Sequence, residues 1–579
     1  MERGFIKKVL ELVPDAKKGV GKSVFFAFIY EFLRFVPIII VKIIVDEIVS
    51  GQNSLTKLAW FLGGVLASYL ILTVIDYFVK KVQFKWLIEW QTQLMRRTKK
   101  KLLQLHFGFH ETINTSELLS KITKGVHKLS ELTWFMFNEF IPTLVQLIVT
   151  VIILFYEKWL LALVFTAFLP ILLFVIITAS KKVQVYRKSY HQNFDEAIGE
   201  LGESLMNIST VKDYVQEKEQ FRKYDSLLAK YEKNAQQRWD YEESFLIWRD
   251  LLISLGRALT LGLAAWMVLE GVLSAGSLVL VYTLTERAFL SSYRIGRLYS
   301  YLEDAMESLN RLYDLLKEKV MINDMTKAQG IKSLQGEVEF REVNFSYNKV
   351  KVIDKVNFKI APRQVVALVG RSGSGKSTLV KLMLRNYDIN SGEILVDGKN
   401  IQNYKIADYK RRLAVVSQNV EIFNRTVFEN ISFANPQASR EEVVKAAKKA
   451  HAHEFIQEFS DGYNSLVGEK GIRLSGGQKQ RVSIARALLK RPDVYIFDEA
   501  TSSLDSESEE LIQKSIFSIA GKKTTIIIAH RLSTIKHADL IMVLDKGKII
   551  ERGTYEALLK KNGLFAKMVK LQSVNELRE

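Results

Sequence analysis

The sequence predicts a multidomain membrane protein: an all-α six-helix transmembrane domain with long cytoplasmic helical extensions, followed by an α/β domain built round a phosphate-binding P-loop. Three observations carry this expectation. Long apolar runs crowd the first half of the 579 residues, and after about residue 331 short apolar strands alternate with charged helices. Short links and long basic segments take turns between the apolar runs. The stretch Gly370–Ser377 reads G-R-S-G-S-G-K-S, with an apolar strand before it and a helical pattern after it. The expected boundaries are 1–320 for the membrane domain, 321–335 for a polar linker and 336–579 for the α/β domain.

Runs near the 20 or so residues a hydrocarbon core requires fall at 24–45, 58–80, 135–156, 158–180, 246–269 and 277–300. The last two are interrupted by Arg257, Glu286, Arg287 and Arg294. Short links at Glu157 and at Gly271–Gly276 are expected outside. The basic segments 81–134 and 181–245 are expected on the cytoplasmic side of the cell (inner) membrane, with both termini and the C-terminal half. The first run exceeds a signal peptide's apolar region and no small-residue cleavage site follows it, so it reads as a retained crossing.

A net charge of +19 invites a nucleic-acid reading, but Lys and Arg concentrate beside apolar runs, as in Arg96–Lys101, which fits membrane orientation better. No nucleic-acid partner is expected. With no cysteine, disulfides and thiolate metal sites are excluded, and the eight histidines show no zinc spacing.

Ionisable groups inside apolar runs usually face protein or water. Glu31 and Arg34 stand one helical turn apart and are expected to pair. Lys42 and Asp46 are expected to snorkel to the outer surface, and Arg257, Glu286, Arg287 and Arg294 to line a central cavity suited to an amphiphile with an anionic head. Pro37, Pro142 and Pro170 fall inside expected crossings, as moving bends or fixed kinks.

In the second half, Gly370, Arg371, Ser372, Gly373, Ser374, Gly375, Lys376, Ser377 and Thr378 form the expected phosphate cradle. Glycines let backbone N–H groups curl round an anion, Lys376 neutralises phosphate oxygens, and the Ser377 hydroxyl can bind Mg²⁺. Val494–Ala500 is an apolar strand ending in two carboxylates: Asp498 suits the metal's coordination sphere and Glu499 the general base that polarises water. A second helix start, Leu474–Gln478, reads L-S-G-G-Q and offers another anion seat.

That second seat, lying between the two phosphate motifs, makes the chain resemble an ATP-binding cassette (ABC) transporter of the exporter type, with membrane and nucleotide domains on one chain. The resemblance is specific in the C-terminal half and looser in the membrane half. It implies an α/β P-loop ATPase (ABC) domain using ATP and Mg²⁺, with Tyr347 stacking on adenine and Gln418 reaching metal and water. It implies that His530 contacts the γ-phosphate and that Asp505 ends a further family element. Lys376, Gln418, Glu499 and His530 form the implied catalytic group. Ser475, Gly476, Gly477 and Gln478 of one subunit are implied to close over ATP on the partner's P-loop, so each site needs two chains. One intact copy of every motif favours a homodimer in the lipid bilayer. The tips of the extensions, at Leu105–Val126 and Leu201–Gln220, resemble elements that dock on nucleotide domains, with Ser116 where the family usually has glycine, and Ser465–Gly471 is implied to link them to the ATP sites.

The resulting expectation is ATP-driven export, or inner-to-outer leaflet flipping, of an amphiphilic small molecule, lipid or peptide by alternating access. A dedicated leader-cleaving peptide exporter is less expected, because no peptidase domain precedes the first crossing. The alternatives are an ATP-gated channel or regulator, a subunit of a heterodimeric exporter, and a soluble cassette ATPase, which the apolar runs disfavour.

Overall fold

The structure is a computed structural model that describes residues 3–14, 16–51, 55–113, 115–348, 350–468, 471–498, 506–529, 531 and 535–576. The chain divides into two compact units: Met1–Gln104 with Asn114–Glu318, and Leu105–Ile113 with Lys319–Glu579.

The first unit contains α1 (Arg3–Leu12), α2 (Ala16–Leu33), α3 (Val36–Val49), α4 (Leu55–Gln104), α6 (Thr115–Phe135), α7 (Ile141–Glu157), α8 (Trp159–Met206), α9 (Ile208–Asp213), α10 (Glu217–Leu269) and α11 (Ala275–Lys317); α5 (Phe107–Thr112) belongs to the second. At 1.5 Å per residue, the 53 residues of α10 reach about 80 Å, far beyond a hydrocarbon core of about 30 Å. The basic segments are therefore continuations of spanning helices. Outside the apolar stretch, α8 and α10 are joined by aromatic pairs: Tyr186 stacks on Tyr241 with centroids 4.4 Å apart, and the Tyr190 and Tyr231 hydroxyls lie 2.9 Å apart.

Among the described residues, five helical stretches are long and apolar enough to cross a membrane: Gly21–Val49, Leu55–Gln104, Leu118–Glu157, Trp159–Val183 and Glu217–Leu269. They take in the first five expected runs, save for Lys158 at one edge. The sixth expected run lies in α11, which is not among these five. Most of the apolar surface of α4 is exposed, as a helix facing lipid or a partner requires.

The prolines act differently from one another. Pro37 opens α3, and the first crossing breaks at Arg34–Phe35. A proline has no N–H for the carbonyl four residues earlier, so the break sits just before it. Pro142 opens α7 directly after a π-helical turn, Met136–Phe140, whereas Pro170 lies inside an unbroken α8.

Glu31 and Arg34 pair as expected, at 2.7 Å. Most of the other charges in the expected crossings are met by neighbouring helices. Rather than reaching separately for water, Lys42 pairs with Glu157, while Asp46 accepts hydrogen bonds from the Ser274 hydroxyl (3.0 Å) and the Gly276 N–H (2.7 Å). The Ser277 hydroxyl donates to Glu157 at 2.7 Å. A carboxylate at the start of α11 satisfies donors that a helix N-terminus leaves open. Arg257 pairs with Glu286 at 3.2 Å, and Arg287 donates to the Arg34 carbonyl (3.3 Å) beneath the Phe35 ring. Arg257 is thus matched by a carboxylate, which weakens the case for an anion-binding cavity.

The second unit is layered. Strands β1 (Val338–Tyr347), β2 (Val350–Ile360), β4 (Ser391–Val396) and β5 (Lys399–Asn400) form an antiparallel sheet in the order β2-β1-β4-β5. Strands β3 (Val365–Gly370), β6 (Leu413–Val416), β7 (Val494–Asp498), β8 (Thr524–Ile528), β9 (Leu540–Asp545) and β10 (Lys548–Gly553) form the main sheet, β10-β9-β3-β8-β7-β6, parallel except at β10. The helices are α12 (Lys376–Met383), α13 (Ile406–Arg411), α14 (Val427–Ser432), α15 (Arg440–Lys449), α16 (His453–Gln457), α17 (Gly476–Lys490), α18 (Ser506–Phe517), α19 (Tyr555–Lys560) and α20 (Leu564–Glu576). Capping boxes start three of them: Thr426 with Glu429, Ser439 with Glu442, and Ser475 with Gln478. Every residue of β3 and β8 is buried, as expected for strands covered on both faces.

Gly276 sits where a Cβ would lie 2.2 Å from the Lys42 carbonyl and 2.6 Å from the Asp46 carboxyl. Gly276→Val is therefore expected to cost about 1–3 kcal/mol and to lower the Tm of the purified protein by about 2 °C or more. An unchanged melting curve in detergent would show that this contact does not hold the helix ends together.

Candidate functional site

The parallel order gathers the phosphate motifs. Leu368 of β3 aligns with Ile528 of β8, and Ile528 with Asp498 of β7, so Asp498 lies two strand spacings, roughly 10 Å, from the strand that ends in the P-loop. Phe497 aligns with Val416, the last residue of β6, and Gln418 comes two residues later. The P-loop, Gln418 and Asp498 therefore come to one edge of the sheet, where open α/β sheets bind ligands. Glu499, Asp505 and His530 lie outside the described residues, as do the other residues of 499–505.

The P-loop is held open from both sides. At Gly370 a Cβ would meet the Leu544 carbonyl at 2.2 Å, and at Gly375, with φ at +105°, it would meet Ile353 at 2.9 Å. The Ser374 carbonyl accepts from the Gly547 N–H at 3.1 Å, which ties the loop to the β9–β10 turn. Gly547 itself has no room for a side chain, with the Val352 carbonyl 2.2 Å from any Cβ, although nothing in its sequence context singled it out.

Lys376 is buried, 5% exposed, and its ammonium donates to the carbonyls of Gly370 (2.9 Å) and Arg371 (3.0 Å). Gly375 caps α12 without any side-chain hydrogen bond, so the first N–H groups of that helix keep their capacity for an anion. The Ser374 hydroxyl is buried and unpartnered. An orphaned donor, an uncapped helix start and a buried ammonium in one loop fit a nucleotide phosphate. Arg371, Ser372, Gly373 and Ser377 are exposed or nearly so at the mouth of the loop, and Thr378 is buried behind them. Asp498 is half-buried at the end of β7, where it suits Mg²⁺ together with the Ser377 hydroxyl.

The second helix start behaves differently. Ser475 accepts from the Gln478 N–H at 3.2 Å and gives its own N–H to the Gln478 side chain at 2.9 Å, so the glutamine of L-S-G-G-Q is occupied in a capping box. Ser475 and Gly476 remain exposed and Gly477 is buried. From the same helix, the buried Gln480 donates to the carbonyls of Ser417 (3.3 Å) and Gln418 (3.0 Å), fixing the backbone that carries Gln418. Gln480 was not singled out because its role exists only once α17 packs beside β6.

Tyr347 ends β1 half-buried and meets the Tyr387 ring edge-on at 5.1 Å. Tyr387 also receives α5. A Cβ on Gly108 would lie 2.7 Å from its ring, and the Tyr387 hydroxyl donates to Glu111, which pairs with Lys381 at 2.7 Å. Burial pushes the Glu111 carboxyl up, but the hydrogen bonds from Lys381 and Tyr387 outweigh this and hold it below its ordinary value. Burial, then the bond to Glu111, raises the Tyr387 phenol. The first expected docking tip thus packs against the surface that carries Tyr347.

A family model described as ABC transporter transmembrane region matches residues 20–293, and one described as ABC transporter matches residues 353–502. The chain belongs to the ABC transporter family. It is 32% identical over 92% of its length, and 92% of the relative's, to the ABC transporter ATP-binding protein YknU of Bacillus subtilis. It is 35% identical over 81% of its length to ATP-binding cassette sub-family B member 6 of Mesocricetus auratus, but spans only 56% of that relative, so the chain covers about half the length of the first curated relatives it matches. Among solved structures, a bacterial Atm1-family ABC exporter with ATP bound superposes with a TM-score of 0.85, at 28% identity, over 96% of this chain and 98% of that one. An ABC transporter chain of this kind joins a helical transmembrane domain to an ABC ATPase domain, has several membrane-spanning helices, and its ATPase domain implies ATP binding.

The Glu111 contacts give an expectation. Glu111→Gln removes a charge-assisted bond at a site that is one-third exposed, worth about 1 kcal/mol after solvent screening. Amide exchange over Leu105–Ile113 is expected to quicken about fivefold. Because the Glu111 pKa is depressed in the folded state, its contribution is complete above the unfolded carboxylate value of about 4.3 and fades as pH falls through the folded value. Equal exchange in wild type and variant would exclude this role.

Proposed function

We propose that this chain is one half of an ATP-driven exporter that moves an amphiphilic substrate across a cell membrane by alternating access. The observation that carries the reading is the convergence of the P-loop, Gln418 and Asp498 at one sheet edge of a chain that also bears a helical membrane unit. The domain limits proposed from sequence, 1–320, 321–335 and 336–579, are retained. So are six crossings per chain, with α11 as the sixth, about twelve in a dimer, and cytoplasmic ATPase domains.

In this reading Lys376, the P-loop N–H groups and the Ser374 hydroxyl bind the phosphates and Tyr347 takes the adenine. Mg²⁺, held by Ser377, Gln418 and Asp498, supplies charge neutralisation at the phosphate oxygens. Glu499 accepts the proton of the attacking water, which His530 orients. Two identical chains face each other, so that Ser475, Gly476 and Gly477 of one close over nucleotide on the P-loop of the other, with Gln478 holding Ser475 in place and Asp505 beside the joint. ATP favours the closed pair because its terminal phosphate can bridge two helix starts, and hydrolysis removes that bridge.

The second tip supports a partner. Between α8 and α10, Met206, Tyr214 and Val215 are each more than 70% exposed, although the tip is predicted to sit in water, where apolar groups are normally covered. We assign them to the ATPase unit of the partner.

Glu499→Gln is expected to bind ATP and hold the dimer closed while turnover falls by about a hundredfold or more. Cross-linking and ATPase assays on purified protein with ATP and Mg²⁺ check both halves. Cassettes that stay apart under those conditions would refute the dimer, and normal turnover would refute Glu499 as the base.

A further inference from the structure

Within the helical unit, a cavity of about 220 Å³ lies among α2, α4 and the π-helical turn before α7. Its lining is unusually polar for a membrane-spanning region. Glu31 and Arg34 come from α2 and the break after it, Asp76, Lys80 and Gln83 from α4, and Asn138 from the π-helical turn. Three lining groups are engaged as donors: Arg34 pairs with Glu31 at 2.7 Å, Lys80 with Asp76 at 2.6 Å, and the Asn138 amide donates to the Trp134 carbonyl at 3.1 Å. Two acceptors are not. Glu31 is 2% exposed and its Oε2 has no hydrogen-bond partner; Gln83 is 5% exposed and its Oε1 has none.

This imbalance selects a ligand by chemistry. A buried carboxylate oxygen and a buried amide oxygen without partners are costly, and only a donor-bearing group satisfies them. An anionic head would add further acceptors beside two buried oxygens that already lack a donor. Phe137 adds an aromatic ring to the same wall, which favours a cation over a neutral hydroxyl; the Tyr30 ring is already covered by the Arg34 guanidinium, 5.7 Å from its centroid. The π-helical turn at the wall is a type of irregularity that tends to mark functional sites.

We propose that this cavity binds the primary ammonium head of an amphiphile, with Glu31 Oε2 and Gln83 Oε1 accepting its N–H groups. This names a substrate class and rests on the exporter reading. It differs from the anionic head expected from sequence, which Arg257 and Arg287 do not support.

The test uses full-length protein in phosphatidylcholine nanodiscs and reads binding without ATP turnover, by energy transfer from tryptophan to 11-(dansylamino)undecylamine. The comparison probes are its N-trimethyl derivative, with the same charge and tail but no N–H, and the matching undecanol. The primary amine is expected to bind at least about tenfold more tightly than either: the trimethyl head has no N–H for a site built to accept hydrogen bonds, and the alcohol has a single O–H and no charge to meet the Glu31 carboxylate. Glu31→Gln and Gln83→Leu are each expected to reduce that preference severalfold while ATP affinity, measured on the same preparations as a check of folding, stays unchanged. Equal binding of amine and trimethyl probes, or a preference that survives both substitutions, overturns the site; equal binding of the alcohol overturns the ammonium assignment. Uptake of the amine into inside-out vesicles separates the two readings: discrimination in binding without ATP-driven uptake leaves the site standing and sinks export of this class, whereas uptake without discrimination does the reverse.

Discussion

The ATPase unit depends on strands β3, β8, β7 and β6 running in the same direction through the core. Strands buried on both faces can offer polar groups only where they end. Val365–Gly370 and Thr524–Ile528 are buried throughout, so the chemistry is confined to the loops at their C-terminal ends. The ladder registers then fix spacing: Leu368, Ile528 and Asp498 fall in one row, and Val416 beside Phe497 in the next. Reversing any one of these strands would carry its loop to the far edge and dismantle the nucleotide site without altering a motif residue.

That constraint explains why this half was legible in the sequence. A strand, a glycine loop with lysine and a helix are adjacent along the chain, so their spacing carries the geometry directly. The supports arriving from elsewhere were not legible. Gly547 bonds the P-loop from the β9–β10 turn, Gln480 holds the Gln418 backbone from α17, and Tyr387 with Lys381 receives Glu111 across more than 260 positions. None belongs to a local pattern. Each depends on the sheet order, which periodicity does not specify.

In the membrane half the sequence located most helices but did not supply the partners of their charges, for a related reason. Hydropathy describes one helix against lipid, whereas a charge is settled by a neighbouring helix. Lys42 and Asp46 read as snorkelling groups when only their own run is considered, yet Glu157 and the start of α11 are their partners. Glu31 and Arg34 were read correctly because their partnership lies within one turn. Pro37 marked a bend correctly, but the break falls at Arg34–Phe35, before the ring, where the missing N–H is felt.

Irregular backbone within a membrane is tolerated only where protein or a polar cavity satisfies the groups it frees. Among the described residues the helical unit has two such places in its early crossings, the break at Arg34–Phe35 and the π-helical turn at Met136–Phe140. Both border the same cavity, through Arg34 on one side and Phe137 and Asn138 on the other. At the break, the Arg34 carbonyl is met by Arg287. Two departures from helical regularity converging on one polar space, rather than scattered along the crossings, indicate that the surrounding helices are shaped around it. A purely packed seam would have favoured small residues and unbroken ridges, as at Gly256, where a Cβ would press on Phe289 at 2.7 Å. The contrast between those two walls of one helical unit separates the part that holds the bundle together from the part arranged to receive something.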